Sequence, residues 1–99
     1  MNRAAKGQRV ERACEQELQA QKYITWKTIC VRFCNIDLFG LFDVCALAGD
    51  GTHLRFIQCK CRTDAVARKH IRALKMPICC RKEIWIWLGR GQWKKEIIE

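Results

Sequence analysis

Three residues in this 99-residue chain have the types and spacing to act together on one phosphate: Asp43, Gln58 and Lys60. Asp43 opens the apolar run Val44-Cys45-Ala46-Leu47, and Gln58 and Lys60 close the run Leu54-Arg55-Phe56-Ile57-Gln58-Cys59-Lys60. Between the runs stands Ala48-Gly49-Asp50-Gly51-Thr52, an Asp-Gly-containing break that reads as the turn of a β-hairpin. Successive strand residues face opposite sides, so Gln58 and Lys60 project to one face while Ile57, Cys59 and Cys61 project to the other. An amide and an ammonium side by side on an apolar strand need a reason, and Asp43 on the neighbouring strand supplies one. Together they offer a hard oxygen ligand, a second oxygen and a cation within reach of one point, a set suited to a divalent metal, a water and a phosphate.

Glu11 belongs to a different element. Val10, Cys14, Leu18 and Gln21, with Ala13 beside them, keep helical spacing and predict a helix over about 7–22. Glu11 precedes Cys14 and Leu18 by three and seven residues, so it edges onto the inward face, where a helix would carry a carboxylate towards a sheet. On helical position alone, an ordinary first-turn acid favoured by the helix dipole is the commoner reading. Glu15 is one turn further on and could substitute; Glu17 points elsewhere. Asp37 competes with Asp43, but Asp43 directly abuts the apolar strand and stands one hairpin before Gln-x-Lys, which makes Asp37 a loop or turn residue.

The elements that must position these groups follow in order. Tyr23–Lys27 reads as a connector and Thr28–Cys34, rich in β-branched and apolar residues, as the first strand. Asn35–Phe42 reads as a loop in which Gly40 permits a sharp course. Thr63 or Asp64 can cap a second helix through about Lys75, ended by Pro77, with Ala67, Ile71 and Leu74 as its core stripe. Arg68, Arg72 and Lys75 form an adjacent basic stripe, with Lys69 and His70 nearby; a solvated charged face competes with phosphate binding at each. Glu83–Leu88 and Gln92–Ile98 flank Gly89-Arg90-Gly91 and predict a second hairpin. In it Trp85 and Trp87 share a face with Trp93 across, more often a packing arrangement than a base-stacking one. The expectation is one α/β domain over residues 1–99. It has a central mixed sheet flanked by helices in the order α-β-β-β-α-β-β, with one helix on each side.

Composition narrows the partners. Nineteen Lys and Arg against ten Asp and Glu leave a net charge of +9 and a pI near 9.4, which fits nucleic acid first and an anionic membrane second. No run approaches the ~18 apolar residues of a membrane span, and the opening Met-Asn-Arg-Ala-Ala-Lys lacks the apolar core of a signal peptide. Eight cysteines raise disulfides or zinc, but no Cys-x-x-Cys occurs and only His53 and His70 could join them, so zinc is a poor fit. Cys14, Cys30, Cys45, Cys59 and Cys61 sit among apolar positions, as reduced core thiols of a cytoplasmic protein would.

The pattern Asp-(x)n-Gln-x-Lys resembles the PD-(D/E)XK nuclease superfamily. The opening Lys6-Gly7-Gln8-Arg9-Val10-Glu11-Arg12 is similar to the first helix of archaeal-type Holliday junction resolvases. Ile57-Gln58-Cys59-Lys60-Cys61-Arg62 is similar to the Mrr-type nucleases, in which Gln commonly replaces Glu. Phe42 departs from the family's frequent Pro. The resemblance covers about the first two thirds of the chain and implies a restriction-endonuclease-like fold. It also implies Mg2+- or Mn2+-dependent hydrolysis of DNA, branched DNA above all. By that resemblance Glu11, Asp43, Gln58 and Lys60 are catalytic, and Glu11 becomes a metal residue and not merely a first-turn acid. The metal would be held by Asp43, the main-chain carbonyl of Cys59, Glu11 and the Gln58 amide, with Lys60 orienting the attacking water. Arg3, Lys6, Arg9, Arg62, Arg68, Lys69, Arg72 and Lys75 would track the DNA backbone. Paired nicking of a junction implies a two-fold homodimer. The competing expectations are an Mrr-like or virus-encoded general deoxyribonuclease, which would act in the host cytoplasm, and an inactive DNA-binding module of the same fold. An RNA- or protein-binding domain is a further one.

Overall fold

Helical spacing at Val10, Cys14 and Leu18 produces α1, Arg3–Ala20, with all three side chains buried. The structure, a computed structural model, describes the backbone of residues 3–27, 30–31, 34–35, 38–39 and 41–99, and the side chains of 9–27, 38–39 and 41–99. The helix stops earlier than the apolar spacing predicts. Gln21 lies exposed in the following turn, and Lys22 takes a left-handed φ of 73° that ends the run. Gly49 packs against this turn; a Cβ there would come within 3.0 Å of the Lys22 carbonyl oxygen.

Tyr23–Lys27 is not a connector but strand β1, the edge of the main sheet. Its residues alternate strictly: Tyr23, Thr25 and Lys27 are half-buried, Ile24 and Trp26 exposed. That period of two, in β-favouring residue types, is the physical reason. The strand predicted at Thr28–Cys34 is displaced accordingly. The described parts of that stretch are β2, Cys30–Val31, and β3, Cys34–Asn35, which pair with each other apart from the main sheet. Asp37 and Gly40 lie outside the described residues.

The hairpin around Asp50-Gly51 forms as expected, joining β4, Val44–Ala48, to β5, Leu54–Lys60. Gly51 supplies a φ of 74°, and the Asp50 carboxylate accepts from the backbone N–H and the hydroxyl of Thr52. Helix α2, Ala65–Ala73, follows, capped by Asp64 and not by Thr63. It closes short of Lys75 at an extended Leu74, whose N–H donates to the His70 and Ile71 carbonyls, and the Lys82 ammonium donates to the carbonyls of Ile71, Arg72 and Leu74 at 2.9, 3.3 and 2.6 Å. Strand β6, Cys80–Gly89, starts three residues before the predicted Glu83, pairs parallel with β5, and turns through Arg90 into β7, Gln92–Ile98.

The result is a mixed five-stranded sheet in the order β1-β4-β5-β6-β7. Along the main sheet the sequence of elements is helix, three strands, helix, two strands. One face packs on α1 through Cys14, Leu18, Val44, Ala46, Ile57 and Trp85; the other packs Phe42, Ile84, Ile86 and Ile98 with Ile71 of α2. The three tryptophans of the terminal hairpin belong to the first core. Trp93 lies edge-on to Trp85 and Trp87 at 5.3 and 4.8 Å, and the fully buried Trp85 cannot stack on a base or meet a partner. Among the described residues no helix is long and apolar enough to cross a membrane.

Candidate active site

Three strand ends and one helix start meet at one end of the sheet. β1 ends there at Lys27, β4 begins there after Asp43, β5 ends there at Gln58, Cys59 and Lys60, and α2 begins there at Asp64. The antiparallel register sets Val44 against Ile57, which leaves Asp43 beside the last residues of β5. The pairing is sealed by two bonds. The Asp43 N–H donates to the Ile57 carbonyl at 2.9 Å, and the Cys59 N–H donates to Asp43 Oδ2 at 2.9 Å. Asp43 is therefore aimed across β5 at the backbone of Cys59, and not outward into solvent.

Glu11 arrives from α1. Its neighbour on that face, Cys14, bonds the Cys59 thiol, and that bond, then burial, then the carboxylates of Asp43 and Glu11 hold the thiol well above its ordinary range. Both acids thus lie close enough to Cys59 to act on it electrostatically. Glu11 and Asp43, one from the helix and one from the strand, converge on the end of β5.

Lys60 lies on the α2 side of β5, as alternation predicts, with its ammonium 3.2 Å from Asp64 Oδ2. The same Asp64 accepts the Ala67 N–H at 3.0 Å as the cap of α2. That backbone bond first, and Lys60 second, keep the Asp64 carboxyl below its usual range. Gln58 is half-buried, and its amide oxygen is buried with no hydrogen-bond partner. A buried oxygen without a donor leaves an acceptor to be satisfied by something else.

The sequence reading missed Lys27. Its ammonium sits 3.9 Å from Glu11 Oε2, in a row where α1 meets β1. One turn along, Glu15 accepts the Thr25 hydroxyl at 2.8 Å, so Glu15 is engaged with β1. The signal was present: Thr25 and Lys27 alternate on one face, and Glu11 and Glu15 are spaced four apart on the other element.

Among the described residues no three His, Cys, Asp or Glu side chains gather as a metal-binding group. The available set is two carboxylates, the Gln58 amide oxygen and the Cys59 carbonyl. All are hard oxygen donors. They fit Mg2+, which keeps several waters and takes one or two carboxylates, better than an ion needing a full protein cage.

The predicted nucleic-acid contacts divide. Arg9 and Arg62 are exposed, as are Lys69 and Arg72 along α2, which extends roughly 13 Å from the site at the usual helical rise, and Lys75 just beyond its end. Arg68 is instead drawn to β7, where its guanidinium donates to Glu96 Oε2 at 2.6 and 3.1 Å. Of Arg3 and Lys6 only the helical backbone is described. Comparisons with protein families, with curated proteins and with solved structures return no match for this chain.

Proposed function

We propose that this chain is a metal-dependent DNA endonuclease of restriction-endonuclease-like fold, acting most readily on branched DNA. The observation that carries the reading is the convergence of Asp43, Glu11, Gln58 and Lys60 on one end of the sheet, with Asp43 locked to the Cys59 backbone at 2.9 Å. Asp43 and the Cys59 carbonyl, with Glu11 and the Gln58 oxygen, would hold Mg2+ or Mn2+. Such an ion, when bound, polarises the phosphoryl group and acidifies a water. Lys60 orients the attacking water and offsets charge building on the phosphoryl oxygens. For that it must exchange Asp64 for the substrate, a short movement of one flexible side chain. Arg62, Lys69, Arg72 and Lys75 hold the backbone of the DNA leaving the site, which makes binding steeply salt-dependent. Paired nicking of a junction needs two such sites, hence a two-fold dimer.

The neutral Gln58 and the Lys60–Asp64 ion pair favour a second reading, a DNA-binding module of the same fold without cleavage. One assay separates them: a labelled four-way junction beside linear duplex and single-stranded DNA, in Mg2+ and Mn2+, with Asp43→Asn as control. Symmetric nicking of the junction alone, lost in the variant, supports a junction resolvase; cleavage of all three supports a general nuclease. Tight binding without cleavage in either metal sinks the catalytic reading.

A further inference from the structure

Lys27 has no part in the chemistry above, yet it is placed against it. It is the last residue of β1, paired in register with Val44, so its strand position adjoins Asp43. Its ammonium turns towards α1 and meets Glu11 at 3.9 Å, with Lys27 and Glu11 side chains only 23% and 18% exposed. A pair this sheltered is screened little by salt. Glu11 and Asp43 both act on the Cys59 thiol. Among the described residues, two carboxylates and one ammonium therefore bear on this end of the sheet.

We propose that Lys27 is a built-in cation of this site, which competes with the divalent ion for Glu11 and so sets how tightly the metal binds. The inference rests on the nuclease reading for the identity of the metal, and it concerns affinity and not the chemical step. A cation entering between Asp43 and the Cys59 carbonyl meets Glu11 already neutralised by Lys27. To recruit that carboxylate it must displace an ammonium, which subtracts the Lys27–Glu11 attraction and adds repulsion between the two cations. Lys27 is thus a positioning residue for Glu11, holding it back while no metal is bound. Such a site takes one loosely held ion, and occupancy follows the free metal concentration.

The test reads metal binding directly, without DNA. Mn2+ is titrated into wild type, Lys27→Met, Lys27→Gln and Lys27→Arg, and free Mn2+ is followed by its electron paramagnetic resonance signal. Thermal melting identifies any variant that fails to fold. The expected result is about tenfold tighter Mn2+ binding in both uncharged variants and wild-type affinity in Lys27→Arg. The gain should disappear when Glu11→Gln is combined with Lys27→Met. A merely structural Lys27 would give unchanged or weaker binding in the uncharged variants, and that result overturns the inference while leaving the metal reading standing. Absence of Mn2+ binding in wild type and every variant overturns both.

Discussion

Asp43 Oδ2 accepts the backbone N–H of Cys59 at 2.9 Å, so the carboxylate assigned to the metal also ties β4 to β5. The two functions separate by substitution. Asp43→Asn keeps an oxygen acceptor and loses the charge, whereas Asp43→Ala loses both. A hydrogen bond to a charged group contributes about 2 kcal/mol, so Asp43→Ala should unfold at visibly lower urea concentration. Asp43→Asn should stay near wild type and still fail to cleave. Equal destabilisation by both variants would show that charge, and not the acceptor, holds the strand ends.

Gln58 presents a buried amide oxygen without a donor, next in the chain to Cys59, whose backbone N–H holds Asp43. Gln58→Glu would put a carboxylate on the strand end where Asp43 and Glu11 already act on Cys59. Without metal the variant should melt below wild type, because like charges are forced together in a half-buried place. With metal the order should reverse, since binding to the folded state stabilises it. Melting curves with and without millimolar Mg2+ decide this. No metal-dependent gain beyond that of wild type would remove Gln58 from the ligand set.

The buried Glu83 receives the Arg55 guanidinium through two bonds of 2.6 and 2.7 Å and the Trp85 indole N–H at 3.0 Å. The Glu83 bond, ahead of the opposing effect of burial, raises the Arg55 pKa, so the guanidinium keeps its charge. Removing one partner strands the other charge, and Glu83→Ala should cost about 3–5 kcal/mol. The double variant Arg55→Met with Glu83→Leu should lose much less. Urea denaturation read by tryptophan fluorescence distinguishes the two. The pair lies behind the site on the α1 face, so the double variant should keep metal binding.

Asp64 joins the cap of α2 to Lys60, and both bonds lower its pKa below the ordinary 3.8. A depressed carboxylate stabilises the fold fully above its unfolded pKa and loses that contribution as pH falls through the folded value. Helicity should therefore decline as the pH drops below 3.8. Asp64→Asn, which can still cap, should flatten that acid limb while keeping most of the helix at neutral pH. An acid titration by circular dichroism that is identical for wild type and Asp64→Asn would refute the assignment.

Much of this arrangement was legible before any coordinates. Hairpin chemistry at Asp50-Gly51, alternation through Gln58 and Lys60, and helical spacing at Val10, Cys14 and Leu18 each have a local cause, and each led to the right element. The misplaced first strand shows the limit. Tyr23–Lys27 and Thr28–Cys34 are both rich in β-favouring residues, and only pairing with β4 selects the former. Lys27 was missed for that reason, because a residue read as part of a connector is given no face. The partners of Lys60 and Arg68 were equally out of reach, because an ion pair depends on which elements the sheet brings together. The composition of the site was readable; its internal neutralisation was not.

The Lys82 ammonium, buried against three carbonyls at the end of α2, makes the completion of that helix depend on a strand that follows it in the chain. A helix ended by its own glycine can finish its last turn alone. Here the Ile71, Arg72 and Leu74 carbonyls gain their ammonium only when β6 has docked beside β5, which couples local order in the crossover to long-range order in the sheet. The exposed cations of α2 acquire fixed bearings relative to Asp43 only at that moment. Chains that have not yet assembled the sheet therefore carry positive charge without a grip on nucleic acid geometry, and directional binding becomes a property of the finished fold.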